Sequence, residues 1–221
     1  MFFESEISKY RKWRSVGLEL VNNRIYKGLP KEYILEAAKD LRILKNEIIV
    51  FGENDTNYLP DRAIYDIERN GEFWIDQYIK TLGSSLTRKE YKFAEAMKDS
   101  FYSLFFINDS EEGKLLHVMD VFSGEKYRIM DINLSQSDME SGFLLSARIL
   151  SIDGINFASG ASCIFRKEHL AELKKNFTEL YEKKKNEMSW QKMMRKYSFY
   201  FYLMAKKYNE VKVYTDTGTS L

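Results

Sequence analysis

"LLHVMDVFSGEKYRIMDI", residues 115–132, is the stretch on which the fold reading turns. Leu115 to Phe122 and Lys126 to Ile132 are two apolar-rich runs flanking Ser123-Gly124-Glu125. Runs of that length around turn composition predict a β-hairpin. Side chains alternate along a strand, so Leu115, His117, Met119 and Val121 share one face, and Leu116, Val118, Asp120 and Phe122 the other. With Ser123-Gly124 as a two-residue turn, Asp120 is expected opposite Tyr127 and Met119 opposite Arg128. Neither face is purely apolar, which suits a barrel wall with one wet side.

The same pattern extends outward. Phe143–Ile152 and Ile155–Phe165 flank Asp153-Gly154, a strong hairpin signal, because the matching turn needs positive φ at both central residues. Upstream, Phe101–Ile107 is aromatic and β-rich. Five short strands with no helical pattern between them predict an antiparallel sheet curled into a small barrel.

Both flanks read as helical. Ile34, Leu35, Ala38, Leu41, Ile43, Leu44 and Ile48 follow Pro30 at mostly helical spacing. Phe73, Trp74, Tyr78, Ile79 and Leu82 form a second stripe. Thr87 and Glu90 have capping-box spacing ahead of a third helix. Leu170 to Tyr181 and Trp190 to Met204 give a C-terminal helix pair. The expectation is an α+β protein: a helical region at 1–98, a five-stranded antiparallel barrel-like sheet at 99–165, helices at 166–212 packing on the barrel, and a tail at 213–221.

The 221 residues are 44% hydrophobic and 30% charged, too apolar for a disordered chain. The net charge of +1 gives no global field for nucleic acid or anionic membrane. It hides an asymmetry. Residues 99–165 carry 4 basic and 10 acidic side chains, whereas residues 166–212 carry 13 basic and 6 acidic ones. Cys163 is the sole cysteine, which excludes an intramolecular disulfide and a Cys-rich zinc site. A reducing, cytoplasmic setting is expected. The N-terminus turns acidic by Glu4, unlike a signal peptide. No run approaches the roughly 18 apolar residues of a membrane span, so no membrane is expected among the partners.

The middle of the chain resembles a small β-barrel domain of bacterial proteins of unknown function. The resemblance rests on Asp120, Gly124, Glu125 and Tyr127, spaced Asp-x-x-x-Gly-Glu-x-Tyr, then Ala147-Arg148 and Gly160. It covers about 65 residues. In that family the barrel follows a helical region, and some members add a zinc motif like that of the secretion ATPase. One cysteine cannot supply that motif. The resemblance implies a fold, and no activity.

No catalytic set, metal site or cofactor motif is recognisable. His117, Asp120, Arg128 and Arg148 are candidates for a non-local site at the barrel rim; a half-buried strand histidine and structural arginines are the plainer account. His117 and His169 lie in different elements and do not make a metal site. Cys163 reads as a small buried thiol. Lys183, Lys184, Lys185, Lys192, Arg195 and Lys196, interleaved with Trp190, Tyr197 and Tyr200, could neutralise phosphates and stack on bases of RNA or single-stranded DNA. The same residues fit a solvated helix face and its packing stripe. The first expectation is therefore a non-catalytic module that binds a protein partner or itself. Nucleic-acid binding through the basic helices and barrel comes second, and an enzyme third.

Overall fold

The computed structural model describes residues 5–52, 55–136 and 142–208. The chain forms two compact units. Among the described residues, one runs through Ser100 and takes in Leu150–Phe157; the other comprises Phe101–Ile149 and Ala158–Tyr208. The expected tail at 213–221 lies outside the described residues.

The first unit is built on α1 (Glu6–Leu20), α2 (Lys31–Asp40), α3 (Asp55–Tyr65), α4 (Trp74–Leu82) and α5 (Arg88–Lys98). Helix α1 opens where the Ser5 hydroxyl accepts the Ser8 N–H at 3.1 Å, and it buries Tyr10, Trp13, Gly17 and Leu20. A Cβ on Gly17 would lie 2.2 Å from Cζ of Phe93, so α1 and α5 approach closely only because that side chain is absent. Helix α5 opens on the full capping box, with Thr87 Oγ1 accepting from Glu90 N and Glu90 Oε2 accepting from Thr87 N at 2.7 Å.

Two short hairpins interrupt the helices. The helix expected to run from Pro30 to Ile48 stops at Asp40. Strands β1 (Leu44–Lys45) and β2 (Ile48–Ile49) follow, joined by Asn46 and Glu47 at φ 47° and 64°. Two successive positive-φ residues form a tight hairpin turn that no helix can contain. Strands β3 (Glu68–Arg69) and β4 (Glu72–Phe73) pair around Asn70-Gly71, at φ 53° and 83°.

The sheet of the barrel contains β5 (Phe101–Glu111), β6 (Leu115–Asp120), β7 (Lys126–Met130), β8 (Leu144–Ile152), β9 (Ile155–Ala158) and β10 (Cys163–Phe165), in the order β10-β8-β5-β6-β7-β9. A further β8–β9 pairing closes β5, β6, β7, β9 and β8 into a five-strand ring. An odd ring cannot be antiparallel at every junction. β5 alternates in direction with β6, β6 with β7, β5 with β8, and β8 with β9, so β7 and β9 run parallel. The sheet is thus mixed where an antiparallel one was expected. β5 is long enough to pair β8 along Phe101–Phe106 and β6 along Phe105–Glu111. The short helix α6 (Ile132–Ser135) follows β7, and the Asp131 carboxylate accepts its Leu134 N–H at 2.9 Å.

Phe105, Ile107, Leu116, Val118, Ile129, Leu134, Leu145 and Ile149 pack into one buried cluster and fill the ring. Each such side chain contributes about 1.5–3 kcal/mol on burial. The opposite faces of β5 and β10 carry Tyr102 and Phe165, which meet Phe201 at 5.8 and 6.4 Å between ring centroids. Phe201 lies on α9 (Phe199–Tyr208) and stacks on Phe177 of α7 (Leu170–Lys184) at 4.0 Å. Between them α8 (Trp190–Tyr197) buries Met193 and Met194. The helix expected from Trp190 to Met204 is therefore two helices, divided at the buried Ser198.

Candidate functional site

The hairpin register differs from the two-residue turn expected at Ser123-Gly124. Val118 stands opposite Tyr127, Met119 opposite Lys126, and His117 opposite Arg128. The loop is longer because Asp120 holds it. Its Oδ1 accepts the N–H of Phe122 at 2.8 Å and of Ser123 at 3.0 Å, and its backbone carbonyl accepts Gly124 N at 2.9 Å. Backbone thus satisfies this buried carboxylate. Beyond the loop, the Tyr127 hydroxyl donates to the Glu125 carboxylate, and its ring packs on Phe101 and Phe105. Burial first, and the Glu125 carboxylate second, push the Tyr127 phenol up to about 12. Asp120, Gly124, Glu125 and Tyr127, the residues behind the resemblance, thus build one closed loop.

The four rim candidates separate. His117 and Arg128 share a face as cross-strand neighbours, and a His117 ring nitrogen lies 3.0 Å from Glu111 Oε1. Glu111 also accepts from Lys114 Nζ at 2.8 Å; Lys114 first, then His117, holds its carboxyl below the usual range. Asp120 lies on the alternate face of β6, with Leu116 and Val118. Arg148 is fully buried opposite Tyr102, its guanidinium 5.5 Å from that ring. Tyr102 in turn stacks on Phe201, so Arg148 belongs to the layer beneath α9. Asp120 and Arg148 join neither each other nor the His117–Arg128 pair.

The basic candidates also divide. Lys184 donates to both oxygens of Glu187, at 3.0 and 2.9 Å, and Lys185 donates to Glu182; these carboxylates raise both ammonium pKa values. Both sit near the C-terminal end of α7, where cations suit the helix dipole. Lys192, Arg195 and Lys196 lie on α8 at i, i+3 and i+4, on one face. No acidic residue occurs from Trp190 to Tyr208. The aromatics of that segment have two roles. Trp190 packs on Phe122 at 4.8 Å and Tyr181 at 5.1 Å, and Phe201 is in the core. Tyr197 and Tyr200 instead stack on each other near the surface, 6.0 Å apart and 4° from parallel, with Phe199 4.4 Å from Tyr200. The sequence reading named both tyrosines but placed them on one continuous helix, which hides the change of phase at Ser198.

It missed the apolar β1–β2 hairpin and the anchoring of Asp153. In the first unit, Ile48, Val50 and Phe51 are 67%, 47% and 50% exposed. Asp153 Oδ2 accepts the Trp13 indole N–H at 3.1 Å, and Oδ1 pairs with Lys92, which, more than any other neighbour, keeps the carboxyl below its usual range. Among the described residues, no group of three or more His, Cys, Asp or Glu is placed to hold a metal ion, and no helix is long and apolar enough to cross a membrane. Cys163 is buried and in no disulfide.

No curated protein and no solved structure matches the chain. A family model does match, over residues 4–213, nearly the whole length and well beyond the barrel motif. The chain belongs to that family, DUF7986, a family of unknown function.

Proposed function

We propose that this protein is a non-catalytic interaction module that docks a protein partner through the β1–β2 hairpin of its helical unit. The observation that carries the reading is the exposure of Ile48, Val50 and Phe51, three large apolar side chains within four residues. Isolated exposed apolar residues are ordinary, but a contiguous set on a short hairpin marks a surface that gains by being covered. A few buried anchor side chains supply most of the energy of a protein interface. The tight Asn46-Glu47 turn and the Val50 N–H bond to the Ile43 carbonyl hold the segment that carries them.

The barrel serves as scaffold in this reading. Its interior is filled, Asp120 closes a loop, and Arg148 lies under the C-terminal helices. The division at 1–98, 99–165 and 166–212 enters as a docking part, a barrel and its helical cover. A cytoplasmic setting suits a sole cysteine kept as a thiol.

The test is affinity purification from an extract of the source organism, with light scattering to register self-association. The wild-type chain is expected to retain a partner, or a second copy, that an Ile48→Asp/Phe51→Asp variant releases. Identical behaviour of the two chains would refute the docking role of the hairpin.

A further inference from the structure

We propose that the junction of α8 and α9 is a binding surface for single-stranded nucleic acid, with Lys192, Arg195 and Lys196 on the phosphates and the Tyr197–Tyr200 pair against unpaired bases. The inference is independent of the β1–β2 hairpin and lies in the other compact unit.

Three observations converge on it. The first is charge. From Trp190 to Tyr208 the chain has five basic residues and no acidic one, in a protein whose net charge is only +1. The +1 total conceals a local positive field, and Lys192 and Lys196 are exposed at its centre. The second is aromatic placement. Phe201 is committed to the interior and Trp190 is half-buried against Phe122 and Tyr181, whereas Tyr200 is 38% exposed and near-parallel to the half-buried Tyr197. Exposed aromatic rings beside cations bind bases by stacking whatever their sequence. The third is the break at Ser198. It joins the basic face of α8 to the tyrosines, so both features lie within one short stretch.

The same chemistry selects against other anions. A duplex keeps its bases stacked internally and offers the tyrosines nothing. An anionic bilayer would require an apolar helix face to insert, and Met193, Met194, Phe201, Tyr202 and Ala205 are all buried within the protein.

The test uses the full-length chain and a fluorescein-labelled oligo(U) of about twelve nucleotides, read by anisotropy. Three neutralised phosphates give a log–log salt slope of about −2, hence affinity about twentyfold weaker at 200 mM than at 50 mM salt. Lys192→Glu/Lys196→Glu should weaken binding at least tenfold and flatten that slope. Tyr200→Ala should weaken it about tenfold with the slope kept. Lys89→Glu, at an exposed position of α5, should change neither, and circular dichroism should show all variants folded. Equal affinity for the matching duplex, wild-type affinity in Lys192→Glu/Lys196→Glu, or binding to phosphatidylserine vesicles without binding to oligo(U) would each overturn the proposal.

Discussion

The two hairpins of the barrel close in opposite ways. β8 and β9 turn on two residues, Asp153 and Gly154, both at positive φ, and the Asp153 side chain reaches away from its own hairpin to Trp13 and Lys92. β6 and β7 are joined by a longer loop, and the Asp120 side chain turns inward to satisfy that loop's own N–H groups. One aspartate is an anchor and the other a clamp. A tight turn leaves its carboxylate free to work elsewhere, whereas a longer loop needs a carboxylate to replace missing backbone pairing.

The clamp should be the costlier to remove. Asp120→Ala leaves the part-buried N–H groups of Phe122 and Ser123 without their charged acceptor and should destabilise the protein by about 2–4 kcal/mol, read as a lower urea midpoint at unchanged slope. Asp153→Ala loses one indole hydrogen bond and a half-exposed ion pair, and should cost about 1–2 kcal/mol. If the two losses were equal, the contrast between clamp and anchor would fail. Gly154→Ala forces an alanine to the positive φ of the tight turn and should cost about 1 kcal/mol, although nothing lies within 4 Å of the added methyl.

The hairpins should also differ in pH response, with smaller effects. The Asp153 pKa is lowered in the folded chain, so its contribution is present above the ordinary carboxylate range and lost as pH falls through the folded value. Asp153→Asn should flatten the acid limb of stability. The Tyr127 pKa is raised to about 12, so its contribution is full below about 10 and lost between about 10 and 12. Tyr127→Phe should flatten the alkaline limb and leave the acid limb alone. Thermal melts across pH check both, and a change on the wrong limb would contradict the assignment.

The contrast also shows how far the sequence could be read. Asp-Gly between apolar runs names its turn by backbone chemistry alone, so that hairpin was legible. Ser123-Gly124 looks like a similar turn, but the loop length depends on where the Asp120 side chain bonds, and alternation cannot report that. The parallel β7–β9 closure follows from five strands in a ring, once closure itself is known. Asn70-Gly71 carried the same kind of signal as Asp153-Gly154, between strands too short to show alternation. The helix expected through Ile48 failed because apolar spacing continued across Asn46 and Glu47, where the backbone reverses. At the candidate sites, residue types were legible but their burial was not. Tyr197, Tyr200 and Phe201 look alike as letters, yet across the break at Ser198 Tyr197 is half-buried, Tyr200 exposed and Phe201 in the core.

The central claim is that the barrel hairpin is a structural element and that binding occurs on the β1–β2 hairpin and at the α8–α9 junction. The most direct measurement places a photo-reactive residue at Phe51, Tyr200 or Arg128, one at a time, in the full chain expressed in its source organism. The account predicts protein adducts from position 51, nucleic-acid adducts from position 200, and none from position 128. Adducts from position 128 alone would contradict it.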